Sequence, residues 1–301
     1  MFKKIVVGYD GSHQAKDALA LGRVLASSGT SLVAAYIYKF EDVYGKGSSG
    51  DAGFEAGLRE EAEGVLGEVG HGIEKRTHGR ASPAHGLHEV AEAEGADLIV
   101  VGSTHHGTVG RTFIGSTSER LLHGAPCPVA IAPKGFAAEE NPEIHVVAAA
   151  YQGVEEARRA LELAKGIALE AGATLRVISC VEPPAAASPM YANDYHWDEY
   201  SQRLRQSVED ELSDVAAKAP GDLHCHTSVI TGDPATILAK KADEGVDLMV
   251  MGSRGYGAVK GVLLGSVSAK LIRTATCPLV VVPRGTAVPA GEGQEASLTA
   301  A

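Results

Sequence analysis

One glycine-spaced segment occurs twice in this chain, 150 positions apart, and that repetition narrows the possible folds more than any other feature. The first copy reads Gly102-Ser-Thr-His105, nine residues, then Gly115-Ser116; the second reads Gly252-Ser-Arg-Gly255, nine residues, then Gly265-Ser266. Cys127, Pro128 and Pro133 recur at the same spacing as Cys277, Pro278 and Pro283. Repetition over such a length means a duplicated domain. Toward the N-terminus the offset falls to 142, setting Asp10-Gly11 against Gln152-Gly153 and Ala18-Leu19 against Ala160-Leu161. The extra residues of copy two are assigned to an irregular stretch from Pro183 to Tyr200, opposite the Gly/Ser-rich Tyr44 to Gly53.

A glycine loop that opens onto a serine-started helix suits a polyphosphate. Backbone N–H groups can face an anion closely where no Cβ intervenes, and the helix N-terminus adds unsatisfied donors and a favourable dipole. Around each loop the chain alternates short apolar runs with helical periodicity. Copy one gives strands at Lys4 to Gly8, Ser31 to Tyr38 and Gly72 to His78, then Asp97 to Val101 and Pro128 to Ala132. Helices are predicted over Ser12 to Ser27, up to Val69, Pro83 to Glu94 and Ser116 to Leu122. Copy two repeats the plan with strands at Val146 to Ala150, Thr174 to Val181, Leu223 to Ile230, Val246 to Met251 and Pro278 to Val282. The fourth strand of each copy is continuously apolar, as a strand buried on both faces must be. The expected architecture is α/β, with two tandem doubly wound five-stranded parallel sheets at 1–138 and 143–285 and a disordered tail at 286–301. Ligands of such sheets bind beyond the carboxyl ends of the strands. That edge brings Asp10, at the end of strand one, near Gly102 to Ser116.

Charge narrows the partners. The chain carries a formal net charge of −11, and neither half is basic. Nucleic acid and anionic membrane surfaces are therefore disfavoured. No apolar run reaches membrane-spanning length, and Met1-Phe-Lys-Lys leads directly into a strand, so a cytoplasmic protein is expected. Four cysteines without a C-x-x-C make no disulfide framework. His224-Cys225-His226 places adjacent side chains on opposite faces of a strand, which argues against a metal site.

At Asp247-Leu-Met-Val-Met-Gly-Ser-Arg-Gly255 through Leu264-Gly-Ser-Val-Ser268, and again at Val7-Gly-Tyr-Asp-Gly-Ser12, the chain resembles the universal stress protein family in its tandem form. The resemblance spans almost all of residues 3–284 and implies a fold like that of the adenine nucleotide alpha hydrolases. It implies ATP as ligand, with Mg as an accompanying ion. By that likeness the first-strand aspartate holds ribose, the loop glycines and serine hold phosphates, and a strand-two residue walls the adenine. The residues so implied are Asp10, Ile37, Gly102, Gly115 and Ser116 in copy one, and Cys180, Gly252, Gly255, Gly265 and Ser266 in copy two. The likeness further implies pairing through strand five, either between chains or within one.

Each copy departs from the pattern. His105 stands at the second glycine of copy one, where it either occupies the place of a phosphate or donates to one. Gln152 stands at the aspartate of copy two; its amide can still reach a ribose hydroxyl, but without charge. The second site is expected to hold phosphate better, and the first to hold ribose better. A plainer reading treats the loops as helix starts, with Ser116-x-x-Glu119 as a capping box that Ala269 interrupts in copy two. Gly45-Lys-Gly47-Ser-Ser-Gly50 matches a dinucleotide fingerprint but lies beyond strand two instead of in the turn after strand one. The leading expectation is an adenine-nucleotide-binding regulator of stress responses that is not primarily catalytic. The alternative is a nucleotide-free, dimerising interaction scaffold. An adenylating enzyme is disfavoured because Tyr9-Asp-Gly-Ser-His13 lacks the S-G-G-x-D-S loop such enzymes use.

Overall fold

The structure, a computed structural model, describes residues 1–40, 49–103, 116–182, 196–253, 264–286 and 288–289. The first half runs β1 (Lys4–Gly8), α1 (His13–Leu25), β2 (Ser31–Tyr38), α2 (Ser49–Gly67), β3 (Glu74–Gly79), α3 (Pro83–Glu94), β4 (Leu98–Gly102), α4 (Ser116–Leu122) and β5 (Val129–Ala132). A 3₁₀ turn at Phe136–Ala138 follows. The second half runs β6 (Val146–Ala150), α5 (Glu155–Ala171), β7 (Thr174–Val181), α6 (His196–Ala217), β8 (Cys225–Thr231), α7 (Pro234–Ala242), β9 (Leu248–Gly252), α8 (Ser266–Thr274) and β10 (Leu279–Val282).

All strands join one ten-stranded sheet in the order β3-β2-β1-β4-β5-β10-β9-β6-β7-β8. Within each half every pairing is parallel; the halves meet where β5 pairs antiparallel with β10, Ile131 opposite Leu279 and Val129 opposite Val281. The chain reverses direction across the sheet between β1 and β4, and again between β6 and β9. Those two crevices are the topological switch points where such sheets take ligands.

The equivalence of the halves reaches single hydrogen bonds. Tyr9 N–H donates to Ala35 carbonyl as Tyr151 N–H does to Ile178, each at 2.9 Å. Ile37 and Cys180 are accordingly matched, each the seventh residue of its eight-residue strand.

Alternation builds the core. Ile5 and Val7 face one layer of helices and Val6 the other; Leu98 and Val100 likewise oppose Ile99 and Val101. Both layers run through the junction, since Ala130 and Val280 share one cluster and Ile131 and Leu279 the other. Burying each of these valine, leucine and isoleucine side chains stabilises the fold by about 1.5–3 kcal/mol relative to exposure. Helix ends follow local chemistry. Ser12 caps α1 by accepting from Ala15 N–H, and Gly95 and Gly172 close α3 and α5 in the left-handed conformation.

Some expected boundaries move. The helix predicted over Ser12 to Ser27 is shorter, with Ser12 outside it as the cap. Helix α6 begins at His196, inside the stretch Pro183 to Tyr200 expected to be irregular, and α2 begins at Ser49, inside the Gly/Ser-rich Tyr44 to Gly53; residues 183–195 and 44–48 lie outside the described residues. Buried Ala62 and Leu66 anchor α2, and packing outweighs the glycine content of its first turns. The third strand starts at Glu74 because Gly72 has φ 82° and belongs to a turn. The tail expected to be disordered from residue 286 is docked at its start. Thr286 is buried, its hydroxyl donates to Pro283 carbonyl, and its carbonyl accepts from Arg159 Nη1 at 3.0 Å. At the equivalent place in the first half, buried Asp17 accepts from Gly135 and Ala137 N–H at 3.0 and 2.8 Å. Each half thus ties the segment after its last strand to its own first helix.

Candidate functional site

The ends of β6, β7 and β9 and the first turns of α7 and α8 enclose a cleft of about 480 Å³. That volume suits a small-molecule ligand. Gln152, Cys180, Gly252, Gly265 and Ser266 all line it, so these copy-two residues converge although they are far apart in sequence. Gly255 lies outside the described residues.

Gly265 is the N-cap of α8 at φ −64°, ψ 153°, and no side chain caps the helix. Its own N–H is spent on Ser253 carbonyl at 2.7 Å, which closes the neck of the loop. The Gly265 N–H is therefore already engaged within the chain. Ser266, Val267 and Ser268 of the uncapped first turn line the cleft, where backbone donors and the helix dipole favour an anion. Buried Ser268 fixes this helix to the sheet by donating to Gly252 carbonyl at 3.0 Å. Ser118 repeats the bond to Gly102 at 3.3 Å. This pair escaped the sequence reading, although the shared 150 offset of Ser118 and Ser268 was its signal.

Gly102 and Gly252 prove to be contact points between strand and helix. A Cβ on Gly102 would lie 2.2 Å from Gln14 carbonyl oxygen, and one on Gly252 would lie 3.0–3.1 Å from Glu156 atoms. The absence of a side chain lets α1 and α5 cross the ends of β4 and β9. That crossing brings the strand-one turn beside the loop.

The wall formed by the end of strand two differs between the halves. Ile37 packs so closely on α3 that a Cβ on Gly86 would come within 2.5 Å of it. Cys180 is the smaller side chain at the same position, and it lines the open cleft. Burial pushes its thiol up to about 11, so it is a neutral wall and a poor nucleophile at neutral pH.

Three further polar groups line the second cleft that the sequence reading did not single out: Glu182, Asp233 and Lys270. Asp233 precedes Pro234, a recognisable helix start, and caps α7 by accepting from Thr236 N–H at 2.9 Å. Its carboxylate also accepts from Thr236 hydroxyl at 2.5 Å and from Lys270 Nζ at 2.9 Å. The Thr236 hydroxyl and the Lys270 ammonium hold this acid down to about 2. Deeper in, Tyr151 hydroxyl donates to Glu211 at 2.7 Å, and burial, ahead of that bond, raises the phenol.

In the first half Asp10 is exposed at the end of β1, and its Oδ1 accepts from Ser12 N–H at 3.1 Å. Gly115 and His105 lie outside the described residues, as do the side chains of Ser116 and Glu119, and with them the capping box. Gln14 Nε2 and Ser103 Oγ are buried there without a hydrogen-bond partner among the described residues. Glu156, the counterpart of Gln14, is instead paired with Arg284 at 3.0 Å.

The cleft's size, its small neutral wall and its uncapped helix fit a nucleotide. Among the described residues no group of His, Cys, Asp and Glu is arranged to hold a metal ion. Among them also, no helix is long and apolar enough to cross a membrane.

Comparison with known proteins agrees with the tandem α/β fold. The profile of the universal stress protein family matches residues 1–133 and again 143–283. A universal stress protein of Mycobacterium tuberculosis is 28% identical over 297 residues, covering 93% of this chain and 99% of its own. One from Thermus aquaticus is 36% identical over 137 residues, covering 43% of this chain and 97% of its own. The crystal structure of a universal stress protein from Archaeoglobus fulgidus superposes with a TM-score of 0.66 at 23% identity, covering 94% of this chain and 99% of that one.

Proposed function

The chain belongs to the universal stress protein family in tandem form, and on that premise we propose that it is an adenine-nucleotide-binding regulator of stress responses. One observation carries the reading: Gln152, Cys180, Gly252, Gly265 and Ser266 converge on a single cleft at a switch point of the sheet. The units are residues 1–138 and 143–285, and the second holds the working site. Ser266, Val267 and Ser268 would hold phosphate at the start of α8, Gln152 would reach the ribose, and Cys180 would face the base. When bound, the nucleotide supplies a polyphosphate anion that ties α8 to the ends of β6 and β9. A magnesium ion would travel with those phosphates. In the first unit Asp10, Ile37, Gly102, Gly115 and Ser116 form a weaker counterpart.

Regulation through occupancy fits these residues better than catalysis. The Asp233 carboxylate is committed to Thr236 and Lys270, and the Cys180 thiol stays protonated. Strand-five pairing is met inside the chain by β5 and β10, so a single chain supplies the pair of units. We place the protein in the cytoplasm.

Native mass spectrometry of the purified chain and a thermal melt with ATP test this reading. At ligand one hundred times its dissociation constant the folded state gains about 2.7 kcal/mol, a clear rise in melting temperature. No co-purifying nucleotide together with an unmoved melt would end it. The internal pairing of cleft side chains favours a second reading, a nucleotide-free scaffold, which predicts no heat on titration even with millimolar ATP.

A further inference from the structure

Lys270 sits in the second turn of α8, and its side chain lines the same cleft as Gly265 and Ser266. Side chains on a helix lean toward its N-terminus, so this ammonium is directed to the end of α8 where an anion would rest. Its partner is across the gap. Lys270 Nζ lies 2.9 Å from Oδ2 of Asp233, the cap of α7, and 3.2 Å from the hydroxyl of Thr236 in its first turn. The first half has the same cation without the acid. Arg120 stands where Lys270 does, Ser82 stands where Asp233 does, and neither side chain makes a hydrogen bond or ion pair among the described residues.

We propose that the Asp233–Lys270 ion pair is a latch across the mouth of the second cleft, with Lys270 a phosphate-recognising residue and Asp233 a built-in competitor for it. The inference rests on the nucleotide reading of this cleft and adds how that site is regulated. A ligand bearing phosphates takes over the Lys270 ammonium and releases Asp233, so affinity for the charged part of the ligand is set by the contest between two anions. A nucleoside without phosphates has no such contest to win. Among the described residues the first site, with Arg120 unpaired and Ser82 at the position of Asp233, has no such latch.

Both charges are about half exposed, 53% for Lys270 and 52% for Asp233. Water and salt screen such a pair, and its strength is at most about 1 kcal/mol, or about five-fold in affinity. Titration calorimetry of the full chain with ATP and with adenosine, at low and high salt, reads the contest directly. Asp233→Asn retains a good helix cap and removes the competing charge. It should tighten ATP about three- to five-fold at low salt, less at high salt, and leave adenosine unchanged. Asp233→Ser, which also caps, should do the same. Lys270→Gln should weaken ATP by a similar factor without affecting adenosine, and the double variant Asp233→Asn/Lys270→Gln should behave like Lys270→Gln. The latch is refuted if the wild type binds ATP and the asparagine and serine variants leave that affinity unmoved, or if they tighten adenosine equally. A wild type that binds neither ligand brings down the nucleotide reading itself, and the latch with it.

Discussion

The two strand-end crevices are built on one plan, but they differ in what their polar groups are doing. In the second, three polar groups at the cleft have internal partners, Asp233 with Lys270, Glu156 with Arg284 and Tyr151 with Glu211, while Glu182 at its lining makes no hydrogen bond or ion pair among the described residues. In the first, Gln14 Nε2 and Ser103 Oγ are buried without partners, and the Arg120 side chain is unpaired among the described residues. A buried polar atom without a partner costs about 1–3 kcal/mol. Among the described residues the first crevice therefore carries buried unspent polar capacity, whereas of the charged groups lining the second only the exposed Glu182 is left unpaired. Duplication kept the frame and let the halves diverge in the side chains that line the two crevices.

The largest expected effect separates the two helix-strand crossings. Gly102→Ala places a Cβ against the Gln14 carbonyl, an immovable backbone atom, and should destabilise the chain by about 3 kcal/mol. Gly252→Ala meets its neighbours at 3.0–3.1 Å and should cost about 1 kcal/mol. Chemical denaturation monitored by circular dichroism measures both, and equal losses would remove this distinction between the halves.

Next comes the wall of the cleft. Cys180→Ile gives the second half the side chain of the first and should reduce ATP affinity by about ten-fold through lost volume, with the fold intact. Ile37→Cys should leave ATP binding at the second cleft unmoved. Equilibrium dialysis of both variants would show whether wall size or the loop sets the inequality. A smaller effect is expected from Gln152→Asp. Restoring the charged acceptor should strengthen the hold on a ribose hydroxyl by about three-fold, read as the ratio of ATP to tripolyphosphate affinity.

The smallest effect is on acid stability. Asp233 has its folded pKa depressed to about 2, so the stabilisation it gives is fully present above the unfolded carboxylate value near 4. It is lost as pH falls through the folded value. The melting temperature of Asp233→Asn should thus lie slightly below that of the wild type at neutral pH and converge with it near pH 2. A constant difference across that range would mean that the carboxylate's charge contributes nothing.

Much of the frame was legible because it is written in local periodicity. The continuous apolar run at residues 98–101 signals a strand buried on both faces, and the offsets of 142 and 150 identify equivalent turns from the sequence alone. The roles of Gly102 and Gly252 were not legible, because the demand for a missing Cβ comes from a helix that crosses from elsewhere in the chain. Nor was the Asp233–Lys270 pair. Asp233 reads locally as a helix cap, and nothing in its neighbourhood reveals a lysine 37 positions away. The start of α2 was missed because glycine-rich composition argues for a loop, whereas burial of Ala62 and Leu66 argues for a helix and prevails. Local chemistry predicts caps, strands and repeats; contacts across elements decide what a cleft will accept.

The most direct measurement of unequal sites is the stoichiometry of ATP binding by titration calorimetry, on the wild type, Gly265→Val and Asp10→Ala. Gly265 has an extended backbone conformation that valine adopts without strain, so its substitution blocks approach to α8 while leaving the fold intact. The account predicts one tight equivalent per chain, lost in Gly265→Val and retained in Asp10→Ala. Two equal equivalents, or a tight equivalent that survives Gly265→Val, would contradict it.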